Sequence, residues 1–133
     1  MPARHCLWRS SLEDRSIHVI QPDICLCGGI SEAKKICDMA YAYDCSVQIH
    51  VCGSPISKAA ALQVEAVIPN FLVHEHHQRA LAPEQRATCV HDHQPVDGRY
   101  TVPDLPGIGQ EPTPEAIERC DTVTVTAAKR YLS

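Results

Sequence analysis

The chain has 133 residues, enough for one domain, and its ordinary make-up of 44% hydrophobic and 21% charged residues allows a packed core. The formal net charge is -4 with no basic run, which argues against a nucleic-acid partner, since phosphate contact needs clustered Lys and Arg. No apolar run reaches a membrane span, Met1-Pro2-Ala3-Arg4-His5-Cys6 lacks the apolar stretch of a signal peptide, and the eight cysteines, set in helix- and strand-like runs, read as reduced thiols in the cytoplasm.

Residues 1–16 are weakly patterned and read as a short, poorly structured leader with room for a helix around Ser10 to Arg15. Ile17 to Gln21 is strand-like and runs through Pro22 into Asp23, and Cys25 to Gly29 reads as a loop closed by two glycines. Ser31 is a candidate N-cap, and behind it Ala33, Ile36, Cys37, Ala40 and Tyr43 recur at helical spacing, so an amphipathic helix is predicted over 31–43. A second strand, Ser46 to Ile49, ends in His50 and is followed by the turn Gly53-Ser54-Pro55. The next helix, Ser57 to Val67, is rich in alanine (Ala59, Ala60, Ala61, Ala66), which lets it sit close to a sheet. Pro69-Asn70 breaks it, and a third strand, Phe71 to His74, runs into Glu75. The order β-α-β-α-β with short connections implies an α/β unit of parallel strands with right-handed crossovers over residues 17–93.

His76 to His93 is polar, without a clear period, and reads as a long loop with one helical turn. Gln94-Pro95-Val96 and Arg99 to Val102 flank Asp97-Gly98, a hairpin signal. Pro103 to Gly109 is a turn segment, Pro114 to Arg119 a short helix, and the β-branched run Thr122 to Thr126 an edge strand. Residues 94–133 thus read as a hairpin and a C-terminal tail.

Each of the three strands ends in an ionisable residue, and the endings lie roughly 25 residues apart, the repeat of a βα unit in an eight-fold barrel. Because side chains alternate faces along a strand, Gln21 shares a face with Asp23, Gln48 with His50, and Phe71 and Val73 with Glu75. Directed into a barrel, those faces bring Asp23, His50 and Glu75 together at its C-terminal mouth, with Gln21 and Gln48 one layer below. His50 is the natural general base, Asp23 the group that fixes its tautomer, and Glu75 a partner for a developing oxyanion. That set suits proton abstraction alpha to a carboxylate. The bland alternative is a structural histidine beside carboxylates that cap helices.

Gln21-Pro22-Asp23 with Gly28-Gly29-Ile30, then Ile49-His50, then His74-Glu75, then Val102-Pro103-Asp104-Leu105-Pro106-Gly107-Ile108-Gly109, resemble the C-terminal third of the enolase superfamily. The subgroup is that of mandelate racemase and the sugar-acid (galactonate-type) dehydratases, and the resemblance covers about residues 17–125. It implies the last three βα units of a (β/α) barrel, with Asp23 and His50 as a base dyad and Glu75 beside the substrate carboxylate. It further implies Gln21, Gln48 and His76 as substrate-binding residues and a sugar acid as substrate. Members of the family bind Mg2+ through acidic residues on earlier strands, so the ligands are expected outside this chain and none of its own residues is assigned to the metal. Only sixteen residues precede the first strand here, which leads to the expectation of a fragment or one part of a split protein, inactive alone. Open strand edges and an uncovered inner face, including Phe71 and Val73, lead to the expectation of self-association.

Other readings stay open at the level of sequence. A racemase or cycloisomerase of the same superfamily shares the first chemical step. A non-catalytic remnant would fold or associate without chemistry. A zinc module would use Cys25 and Cys27, or His74, His76 and His77, or Cys89, His91 and His93, but the spacings fit poorly and no Cys-x2-Cys pair occurs. Cys52 beside His50 reads as a small packed residue rather than a nucleophile.

Overall fold

Three parallel extended segments set the frame of the structure, a computed structural model that describes residues 5–124. Strand β1 (Val19–Ile20) pairs with β2 (Ser46–Val47), Val19 opposite Ser46 and Ile20 opposite Val47. The alignment carries past both strands to a parallel bridge between Asp23 and His50, where the His50 N–H donates to the Pro22 carbonyl at 3.1 Å. On the other side of β2, Val47 bridges Phe71: the Val47 N–H donates to the Asn70 carbonyl and the Leu72 N–H to the Val47 carbonyl. The fold is therefore α/β with a small parallel sheet. The strand expected over Phe71 to His74 contracts to this one bridge. Phe71, Leu72 and Val73 are 44%, 53% and 49% exposed, so only one side of the segment has a partner to hold it flat.

The expected leader holds a helix, α1 (His5–Glu13), longer and earlier than Ser10 to Arg15. Leu12 is buried and Trp8 packs on the core four residues before it, seating α1 against the helix over residues 30–41. Two anchors make too short a pattern to read from sequence. The expected loop at Cys25 to Gly29 contains a one-turn helix, α2 (Ile24–Cys27), because Asp23 caps it and Gly28, at φ 117°, closes it in the left-handed conformation. Helix α3 (Ile30–Tyr41) then starts directly from Gly29, which takes the cap position expected of Ser31. Its stripe of Ala33, Ile36, Cys37 and Ala40 is fully buried.

Helix α4 (Pro55–Glu65) is buried nearly all round, including Ser57, Lys58 and Glu65. One side meets α3 and the sheet core. The other is covered by the C-terminal third, where Gln63 Nε2 donates to the Pro103 carbonyl and Lys58 Nζ to the His93 carbonyl. The loop of residues 76–93 contains a 3-10 turn (Gln78–Leu81) and α5 (Pro83–Arg86). The hairpin is reduced to its turn: Val96 and Arg99 exchange both backbone hydrogen bonds across Asp97 and Gly98, which adopt φ 50° and 74°. Pro95 has no N–H with which to extend the ladder. Helix α6 spans Pro114–Arg119, as the sequence predicts, capped by the Thr113 hydroxyl. Residues 122–124 form no strand, and Val125 and Thr126 of the expected edge strand lie outside the described residues. No described helix is long and apolar enough to cross a membrane.

Candidate active site

Asp23 and His50 meet because their strands run in register to their ends. His50 Nδ1 lies 2.9 Å from Asp23 Oδ2, with the Asp23 side chain 19% exposed and His50 41% exposed. Asp23 Oδ1 is occupied separately, accepting from the Cys25 and Leu26 backbone N–H groups at 2.8 and 3.1 Å as the cap of α2. An ionised carboxylate only accepts, so it holds a proton on Nδ1, and in the neutral imidazole this tautomer leaves the lone pair on Nε2. The arrangement presents a basic nitrogen at a half-open position, with the imidazolium that would form already facing a carboxylate.

Glu75 arrives from the third segment. Its Oε2 accepts from the Val51 N–H at 2.6 Å, so it meets the second strand at the residue after His50. A narrow cavity beside it is lined by Val51, Cys52, Lys58, His77 and Arg79. Lys58 and Arg79 bring positive charge there. Burial pulls the Lys58 ammonium below its usual value. Cys52 is exposed, and no base is bonded to it among the described residues.

The remaining predicted residues divide. Gln21 lines a hollow with Asp23, Trp8 and Leu26. Gln48 is half-buried on the face that His50 shares by strand alternation. His76 goes elsewhere: its Nδ1 is hydrogen-bonded to the Tyr100 hydroxyl, in a hollow lined by Glu65, Leu72, His74 and Arg99.

That hollow contains a group sequence reasoning missed. His74 Nδ1 and Glu65 Oε2 are 2.6 Å apart, with side chains 8% and 5% exposed. Burial raises the Glu65 carboxyl, and the hydrogen bond and charge of His74 oppose the rise. Burial and then the Glu65 charge push the Tyr100 hydroxyl up to about 12. Burial, then Lys58 and His74, depress His76. A glutamate at the last turn of a helix reads as solvent-facing, so no sequence signal marks it.

Among the described residues no three His, Cys, Asp or Glu are grouped to hold a metal ion. The zinc sets are not assembled: His91 and His93 stack at 5.9 Å, and His93 Nε2 is bonded to the Gly109 carbonyl. Nor do Asp23 and Glu75 fit Mg2+, since both oxygens of Asp23 and one of Glu75 are committed within the protein.

The profile of the enolase C-terminal domain-like family matches residues 7–116. D-xylonate dehydratase of Haloferax volcanii is 34% identical over 110 residues, covering 83% of this chain and 26% of that protein. D-galactarolactone cycloisomerase of Agrobacterium fabrum is 31% identical over 121 residues, 86% of this chain and 32% of that protein. The crystal structure of an enolase-superfamily member from Salmonella Typhimurium superposes with a TM-score of 0.87 at 55% identity, covering 92% of this chain and 31% of the other. The chain thus spans about a third or less of the length of these relatives.

Proposed function

Because the chain belongs to the enolase C-terminal domain-like family, we propose that it is the base-bearing part of a longer enolase-superfamily enzyme acting on a sugar acid. In this reading residues 17–93 form the last three βα units of a (β/α) barrel, and the hairpin and tail that follow would pack on a capping domain of the longer enzyme. His50 Nε2 removes the proton alpha to the substrate carboxylate, and Asp23 holds the ring and balances the charge of the imidazolium. Glu75 would hydrogen-bond the developing oxyanion through Oε1 when that oxygen carries or shares a proton. Gln21 and Gln48 bind substrate hydroxyls from the layer below. The beta C–O bond then breaks, the hydroxyl taking the proton back from the His50 imidazolium to leave as water, and the resulting enol tautomerises to the keto acid.

The observation that carries the reading is the 2.9 Å contact between Asp23 and His50 across two strand ends. The name of the xylonate-dehydrating relative supports the substrate class and the outcome. The cycloisomerase relative supports the alternative outcome, reached from the same proton removal. Enolase-superfamily members generally use Mg2+, which stabilises the enediolate when bound. Its ligands would come from outside the described residues. Cys25, Cys27, Cys37, Cys45, Cys52, Cys89 and Cys120 are free thiols, in keeping with a reducing, cytoplasmic setting.

The test is a graft. Residues 7–116 replace the matching segment of the Salmonella relative, and the purified hybrid is offered a panel of sugar acids with Mg2+. Conversion of a sugar acid to its dehydrated keto acid is expected. A folded hybrid that binds but transforms none of them would overturn the proposal.

A further inference from the structure

The backbone ladder does not hold Glu75 in place. Its last bond to the third segment runs from the Leu72 N–H to the Val47 carbonyl, and among the described residues Val73 to His76 make no backbone hydrogen bond. The side chains of an extended segment alternate, so His74 and His76 leave the face opposite Glu75. Both are gripped there. His74 is hydrogen-bonded to Glu65 on α4, and its ring lies against Tyr100 with centroids 4.5 Å apart. His76 is hydrogen-bonded through Nδ1 to the Tyr100 hydroxyl, with ring centroids 5.9 Å apart. Tyr100 is itself flanked by Lys58, whose Nζ lies 5.8 Å from the ring and donates to the His93 carbonyl.

We propose that Glu65 and Tyr100 are positioning residues for Glu75: by pinning the side chains immediately before and after it on the rear face, they aim its carboxyl at the end of the second strand. The sequence His74-Glu75-His76 is then clamp, acid, clamp, and His76 serves the site from behind rather than binding substrate. The catalytic meaning of this clamp rests on the acid role proposed for Glu75, but its geometry can be tested apart from that role.

The Val51 N–H reports on Glu75, since it donates to Glu75 Oε2 and is in no backbone hydrogen bond. Site-resolved hydrogen exchange on the 133-residue chain therefore reads the position of Glu75 directly. Glu75→Ala sets the fully released rate. Tyr100→Phe keeps the ring but removes the bond to His76, and it should speed Val51 exchange at least about five-fold while leaving the ladder amides of Val47 and Gln48 unchanged. Glu65→Ala should also release Val51, and Glu65→Gln, whose amide oxygen still accepts from His74, should restore protection. An unchanged Val51 rate in Tyr100→Phe would overturn the proposal, and so would equal acceleration of Val51 and Val47, which marks general loosening. Should Glu65→Ala fail to fold, Tyr100→Phe decides. An active Glu75→Gln enzyme alongside a released Val51 would remove the acid role and leave the clamp standing.

Discussion

Asp23 does two jobs with two oxygens, and a single substitution separates them. Asn caps helices as well as Asp, so Asp23→Asn keeps α2 when its oxygen stays on the Cys25 and Leu26 N–H groups. Its amide N–H2 then faces His50 and forces the ring proton onto Nε2, the atom that has to be free. In the grafted enzyme Asp23→Asn should lower alpha-proton exchange by about 10²–10⁴-fold with little loss of stability. Asp23→Ala should lose the activity and also about 1 kcal/mol of stability. Equal activity in Asp23→Asn and the parent would refute the orienting role. Glu65 gives a pH signature. Its folded carboxyl titrates above the usual 4.5, so its contribution to stability is greatest below that value and is lost as pH rises through the raised one. Glu65→Gln should therefore lose less stability than the parent between pH 4.5 and neutrality, read as denaturation midpoints at fixed protein concentration. Period-two alternation predicts matching faces for Asp23, His50 and Glu75. It could not reveal Glu65 or Tyr100, because their link to His74 depends on how α4 and a distant turn pack behind the sheet.

At the level of elements, long periodic stretches were legible and short ones were not. Helix α3 carries a full apolar stripe, and its span departs from expectation only at its ends. Helix α1 and the one-turn α2 depend on burial of Leu12 and on capping by Asp23, which no period announces. The Asp97-Gly98 turn forms, yet the strands around it do not. Asn70, read as a helix breaker, proves to be a brace: its Nδ2 donates to the Cys37 carbonyl at the middle of α3 and to the Cys45 carbonyl before β2. Asn70→Ala leaves two carbonyls without that donor and should cost about 2 kcal/mol in urea denaturation at fixed protein concentration. A change of a few tenths would show that water replaces the amide at no cost.

At the level of the molecule, the exposed side chains of Phe71, Leu72 and Val73 and the unpaired edge they lie on call for a covering partner. In relatives three times as long, further chain is available for that purpose. For the 133-residue polypeptide the partner at hand is a second copy, so light scattering should give a mass of two chains or more. A monodisperse monomer that unfolds cooperatively would count against that use of the edge. Whether His50 is the base is read in the grafted enzyme in D2O, by following deuterium entry at the alpha carbon of a sugar acid by NMR. Deuterium should enter in the parent hybrid and at least about 10²-fold more slowly in His50→Asn, with substrate affinity retained. Exchange at the parental rate in His50→Asn would contradict that role for His50.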